Sequence, residues 1–199
     1  MILTKIRLRR SLFICLVFVW HASIGQDTFF SRLSSAAIEL TNQIVKYDPS
    51  YFSISYPNGD VPAGKGVCTD VIIRAYRKLG IDLQKEVHED MVGNFSLYPQ
   101  KWGLKKTDKN IDHRRVPNLM AFFGRHGTTL KRSTNAKDYA PGDIVTWNLG
   151  GNVTHIGIVI GKRSDDNERY LVVHNIGNGQ EISDCLLKFE ITGHYRYKK

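Results

Sequence analysis

Apolar residues recur at two different periods along this chain, and the change of period divides it in two. In "FFSRLSSAAIELTNQIVKY" (29–47), Leu33, Ala36, Ala37, Leu40, Ile44 and Val45 fall three or four residues apart, which predicts an N-terminal helix. The Pro-, Gly- and Asp-rich stretch 48–66 reads as a loop. A second helix is predicted from Cys68, with Val71, Ile72, Ala75, Tyr76 and Leu79 on one stripe and Gly80 as its stop. Residues 81–112 show no clear period and read as an ordered excursion containing the turn-like "YPQKWG" and "TDKNID". "VPNLMAFFGRHG" (116–127) predicts a short helix with Pro117 in its first turn. From Asp143 onward the pattern becomes short β-branched and aromatic runs, "DIVTW", "HIGIVIG", "YLVVHNIG" and "KFEITGHYRY". Turn-rich segments divide them, so an antiparallel sheet is expected.

The first residues follow a different plan. A basic leader with Lys5, Arg7, Arg9 and Arg10 precedes "SLFICLVFVW", and the small residues Ser23 and Gly25 follow. That order is the plan of a signal peptide, residues 1–25, and the apolar run is short for a membrane span. The alternative is an uncleaved N-terminal anchor. Cleavage before Gln26 would leave one domain, 26–199, large enough for its own core. It would be secreted or periplasmic, with no stable membrane insertion afterwards. The leader holds four of the 28 Lys and Arg and none of the 19 Asp and Glu, so the formal charge falls from +9 to +5. A modest positive field favours anionic partners such as cell-wall polymers, and without a long basic run no nucleic-acid partner is expected. A monomer is expected.

Only Cys68 and Cys185 remain after such processing. Cys68 stands at a helix start, on the stripe that faces inward. A helix N-terminus and a nearby imidazolium both stabilise a thiolate, so this placement suits a nucleophile with a lowered pKa. The partner must come from elsewhere in the fold, and two histidines qualify. His155 opens "HIGIVIG", and His174 closes "YLVVH". If these strands form a hairpin, the start of the first lies beside the end of the second. His155 is then the candidate base and His174 its orienting group, with Asn175 and Asp70 as reserves. Three alternatives stay open: a buried core cysteine, a Cys68–Cys185 disulfide and a mixed Cys–His–His zinc site. No C-x-x-C or H-E-x-x-H spacing supports the last, and neither metal nor cofactor is expected.

"GVCTDV", "PGDIVTW", "THIGIVIG" and "VVHNIG", in that order, resemble the secreted NlpC-type cysteine peptidases of the papain-like superfamily. "IDLQKEVHEDM", "NIDHRRVPNL" and "ITGHYRY" are similar to a bacterial domain-of-unknown-function family within it, over about Tyr47 to Tyr197. The resemblance implies an α+β papain-like fold in which helices, the nucleophile at one helix start, pack on an antiparallel sheet. It implies Cys68, His155 and His174 as catalytic residues and peptidoglycan stem peptides as substrate. The sequence departs from the better-known Asp-Cys-Ser pattern: Val67 precedes Cys68 and the acid is Asp70, so recognition of a free L-Ala amine does not carry over. Arg114 and Arg115 are candidates for binding substrate carboxylates, against a salt bridge to Asp112 or Asp82. Tyr56, Tyr98 and Trp102 are candidate groove walls. Two other functions remain: a lipid acyltransferase or thioesterase acting on another acyl substrate, and a non-enzymatic cell-wall-binding domain.

Overall fold

The structure, a computed structural model, describes residues 24–199, and side chains from Phe29 onward. The expected signal peptide therefore lies almost wholly outside the described residues. Helix α1 (Ile24–Leu40) buries Leu33, Ala36, Ala37 and Leu40 as its spacing requires. It ends five residues before the last position of its apolar pattern: Thr41, Asn42 and Gln43 each bond back three residues rather than four. The Thr41 hydroxyl also donates to the Ile38 carbonyl at 2.7 Å, a local bond that competes with helix continuation. Ile44, expected on the apolar face, is 98% exposed, and Val45 packs inward from extended chain.

Two short strands, β1 (Lys46–Tyr47) and β2 (Lys65–Gly66), pair in parallel and lead into helix α2 (Cys68–Lys78). Val71, Ile72, Ala75 and Tyr76 are fully buried, and burying each of the larger apolar side chains contributes roughly 1.5–3 kcal/mol. Gly80 ends the helix in the left-handed region (φ 82°), with its N–H bonded to Arg77 and that of Ile81 to Tyr76. The segment expected to be irregular contains helix α3 (Leu83–Asn94). Its core contact is a single narrow stripe of Leu83, Val87 and Met91, too sparse to announce a helix. Asp82, which accepts the Gln84 N–H at 3.0 Å, was the available cap signal. Helix α4 (Val116–His126) forms where expected, with Pro117 in its first turn.

The sheet contains β3 (Thr128–Thr129), β4 (Ile144–Asn148), β5 (Thr154–Arg163), β6 (Tyr170–His174), β7 (Glu181–Ser183) and β8 (Glu190–Arg196). Its order is β3-β8-β4-β5-β6-β7, and every neighbouring pair is antiparallel. Strand alternation sorts its side chains between two cores. Ile144, Ile156, Ile158, Ile160 and Val173 pack under α1, α2 and α4. Val145, Trp147, Val159 and Val172 pack on the other face with Tyr139, Cys185 and Leu186. Among the described residues no helix is long and apolar enough to cross a membrane.

Candidate active site

Backbone alternation in β5 creates a gap that the cysteine fills. Val159 bonds toward β4, accepting from Gly142 and donating to Asp143, so the even-numbered residues of β5 turn their N–H groups toward β6. Strand β6 stops at His174, which the Ile158–Val173 register places opposite Gly157. Beyond that point the N–H of Ile156 has no strand to bond. It points instead at the sulfur of Cys68, as do the N–H groups of Cys68 and Thr69 at the start of α2. The cysteine thus sits one residue from His155 along the open edge of β5.

His155 and His174 meet directly. Nε2 of His155 and Nδ1 of His174 are 2.9 Å apart, with their rings edge to face, and both residues are buried. Trp147, paired with His155 across β4 and β5, holds the His155 ring at a 5.9 Å centroid distance. Gly157 keeps the space for His174 open, since a Cβ there would lie 2.7 Å from Cγ1 of Val172 and 3.2 Å from Cβ of His174. No hydrogen bond joins the Cys68 sulfur to either imidazole. Burial pushes the Cys68 thiol up to about 12, against the backbone N–H groups that lower it. Burial, then His174, lowers His155 to about 3, and burial followed by Lys188 lowers His174 to about 4. The helix start was expected to lower the thiol, and burial acts the other way, raising Cys68 and lowering both imidazoles.

Asp70 and Arg114 form a bidentate ion pair, Oδ1 to Nε at 2.9 Å and Oδ2 to Nη2 at 3.0 Å, with both side chains at most 3% exposed. Asp70 also accepts the Val67 N–H at 2.7 Å, the returning half of a capping box in which Val67 has no oxygen to offer. Asp70 is occupied by this double task. The partner of Arg114 is thus neither Asp112 nor Asp82, and the pair locks the cysteine's turn to the segment before α4. Asn175 does a similar service from just past the end of β6, donating to the Gly66 carbonyl at 3.2 Å.

A cleft of about 230 Å³ opens beside Cys68, walled by Tyr47, Trp102, Arg114, Arg115 and Thr154 among others. Arg115 stacks on Trp102, its guanidinium carbon 4.1 Å from the ring centroid, and its Nη1 is buried without a partner. Tyr56 is turned instead to Glu89, and Tyr98 to Asp90 at 2.5 Å. Tyr98 lines an adjoining bowl of about 560 Å³, which shares Pro117 and Thr154 with the cleft. Tyr47 and Thr154 were not legible as site residues: one looked like a helix end, and the other is an ordinary strand threonine. Cys185 is a separate free thiol in the core on the opposite sheet face, so no disulfide ties up Cys68. Among the described residues no group of three or more His, Cys, Asp or Glu is placed to hold a metal ion.

Helices on one face of an antiparallel sheet, with a helix-start cysteine beside two strand-end histidines, give this chain an α+β fold of the papain-like kind. The chain belongs to the family described as Domain of unknown function (DUF1287), whose model matches residues 34–197. It is 54% identical over 151 residues to the uncharacterized protein YijF of Escherichia coli (strain K12), covering 76% of this chain and 73% of that one. Among solved structures it is similar to an N-acetylmuramoyl-L-alanine amidase from Bacteroides uniformis, with a TM-score of 0.53 and 14% identity over 86% of this chain and all of the other. NlpC2 from Trichomonas vaginalis aligns with a TM-score of 0.46 and 18% identity. That match covers 85% of this chain and only 48% of NlpC2, so the chain spans about half that protein's length. What the amidase shares with this chain is the fold.

Proposed function

We propose that this protein is a secreted or periplasmic cysteine hydrolase that cleaves amide bonds in peptidoglycan stem peptides through a thioester. The observation that carries this reading is the placement of Cys68 on the cleft, one residue along β5 from a histidine that a second histidine orients at 2.9 Å. For His155 to act as base, its Nε2 proton must be donated to Nδ1 of His174, which leaves Nδ1 of His155 free. His174 then carries its own proton on Nε2, a buried atom without a hydrogen-bond partner whose nearest carboxylate is Glu181 at 3.9 Å.

His155 takes the Cys68 proton as sulfur attacks the amide carbonyl, and the N–H groups at the start of α2 face the developing oxyanion. Collapse expels the amine with the proton from His155 and leaves a thioester. Water, deprotonated by His155, then releases the carboxylic acid and restores the thiol. In this reading Arg115 is the substrate-binding arginine, and Asp70, Arg114 and Asn175 position the cysteine's turn. Purified stem peptides, incubated with wild-type protein and with Cys68→Ala and His155→Ala variants, test the assignment. Cleavage by wild type alone is expected; full cleavage by either variant overturns it. The apolar bowl beside the cleft, lined by Leu97, Pro99, Met120 and Ala121, favours one second reading, acyl transfer from a lipid. Acylation of Cys68 by a long-chain thioester would select it.

A further inference from the structure

We infer that the cleft reads charge, taking stem peptides that present a free carboxylate and a blocked amine and rejecting those that present a free ammonium. The inference rests on the hydrolase reading and adds the chemistry of the substrate. Four observations carry it. First, the residues lining the cleft include two arginines and no aspartate or glutamate. Second, the acid nearest the cysteine, Asp70, has both oxygens committed to Arg114 and one of them also to the Val67 N–H. With Asp70 and Arg114 both almost fully buried, that carboxylate is not available to an incoming ammonium.

Third, Arg115 has no carboxylate of its own. Its Nη1 is buried and unpartnered, while burial acts to lower its pKa against the more distant influence of Asp112 and Asp108. A guanidinium edge in that condition is incompletely satisfied until an anion arrives, and a carboxylate fits it bidentately. Fourth, the segment that brings Trp102 to the cleft is basic: Lys101, Lys105, Lys106 and Lys109 are exposed, with Asp108 as its single acid. Trp102 itself lies at φ 64°, a left-handed backbone that bulky residues seldom adopt and that tends to persist at ligand-binding positions. This strained residue stacks on Arg115 and fixes the direction of its fork. A cationic wall with a pre-oriented fork attracts carboxylates and repels ammonium ions.

The test separates this inference from the hydrolase reading by measuring binding and turnover on different proteins. Stem peptides are prepared in four forms, with the amine free or acetylated and the carboxylates free or amidated. Their affinities are measured by calorimetry on the full chain carrying Cys68→Ser, at low and at high salt. The acetylated, carboxylate-bearing form should bind about 10- to 100-fold more tightly than its amidated counterpart, the range expected for a charge-assisted bond. Freeing the amine should weaken binding further, and the differences should shrink as salt rises. Adding Arg115→Gln should abolish the preference for the carboxylate while leaving the affinity of the amidated form nearly unchanged. Tightest binding by the free-amine, amidated form overturns the inference, as does an Arg115→Gln variant that weakens all four forms equally. Turnover by wild-type protein is scored separately. Selective binding with no Cys68-dependent cleavage contradicts the hydrolase reading and leaves the charge rule standing.

Discussion

Two buried histidine pairs lie in the same sheet, and they are built to opposite ends. His194 donates from Nδ1 to the Lys131 carbonyl at 3.0 Å, its Nε2 bonds to Asp143 at 2.7 Å, and its ring stacks on Tyr139 at 4.3 Å. Asp143 further accepts from Arg196 and from the Ala140 N–H, so every strong group in that cluster has a partner. His155 and His174 share one hydrogen bond, and Nε2 of His174 has no hydrogen-bond partner, the Glu181 carboxylate standing 3.9 Å away. The satisfied pair fixes β8 and β4 to the turn before them. The unsatisfied pair sits next to a thiol that opens on a cleft. A carboxylate beside a buried histidine is therefore the less informative pattern here, because full satisfaction is what a structural network achieves and an open valence is what chemistry needs.

The sharpest way to break this contrast is to delete one member of each pair. His155→Ala should lower kcat on stem peptides by about 10²–10⁴-fold or more, the usual reach of a general base, with little change in melting temperature. Cys68→Ala should remove turnover altogether. His194→Ala should do the reverse, losing about 1–3 kcal/mol of unfolding free energy because Asp143 keeps Arg196 and the Ala140 N–H but loses its imidazole partner, while the folded fraction keeps its kcat. Arg114→Ala belongs on the same side, and because it removes both fork bonds and the one cation from buried Asp70, denaturant titration should show the larger loss, about 3–5 kcal/mol. Equal effects of His155→Ala and His194→Ala on both readouts would erase the distinction.

Gly157→Ala tests whether the histidine pair needs its present geometry. The added methyl would meet Val172 and displace His174, and steady-state kinetics should show a fall of about 10- to 100-fold in kcat. Acid tests the burial of the histidines through stability. His155, His174 and His113 are held by burial at about 3, 4 and 3, whereas in the unfolded chain they titrate near 6.5. The unfolded chain thus binds more protons between those limits. Stability from these neutral histidines is complete above pH 6.5 and is lost as pH falls toward 3, by about 1.4 kcal/mol per pH unit for each fully titrating group. Urea unfolding at pH 7 and pH 5 should show the loss, and a flat profile would contradict the burial. Smallest of all, Glu181→Gln should change kcat a few-fold at most. It should also shift the acid limb of the pH–rate profile, because its carboxylate lies 3.9 Å from the outer nitrogen of His174.

What the sequence could say depended on how each feature is encoded. Helix α2 and the strands carrying His155 and His174 were legible because their apolar stripes bury against large cores, and the hairpin brought the two histidines together by register alone. Helix α3 was hidden because only Leu83, Val87 and Met91 anchor it. The Asp70–Arg114 pair was hidden for another reason: it joins positions 44 residues apart, and nothing local prefers Asp70 over Asp112. The burial of the thiol was hidden because helix-start placement is visible in a sequence, whereas desolvation depends on the finished packing. Trp102 read as a groove wall, yet its stacking on Arg115 required the fold.

The central claim is that Cys68 forms a thioester, and rapid acid quenching followed by intact-mass and peptide mapping tests it most directly. Wild-type protein mixed with acetylated stem peptide should show an acyl adduct on Cys68 that decays as product appears, and no adduct should form on the Cys68→Ala chain. Steady turnover of the peptide with no mass added at Cys68, or an adduct on any other residue, would contradict the account.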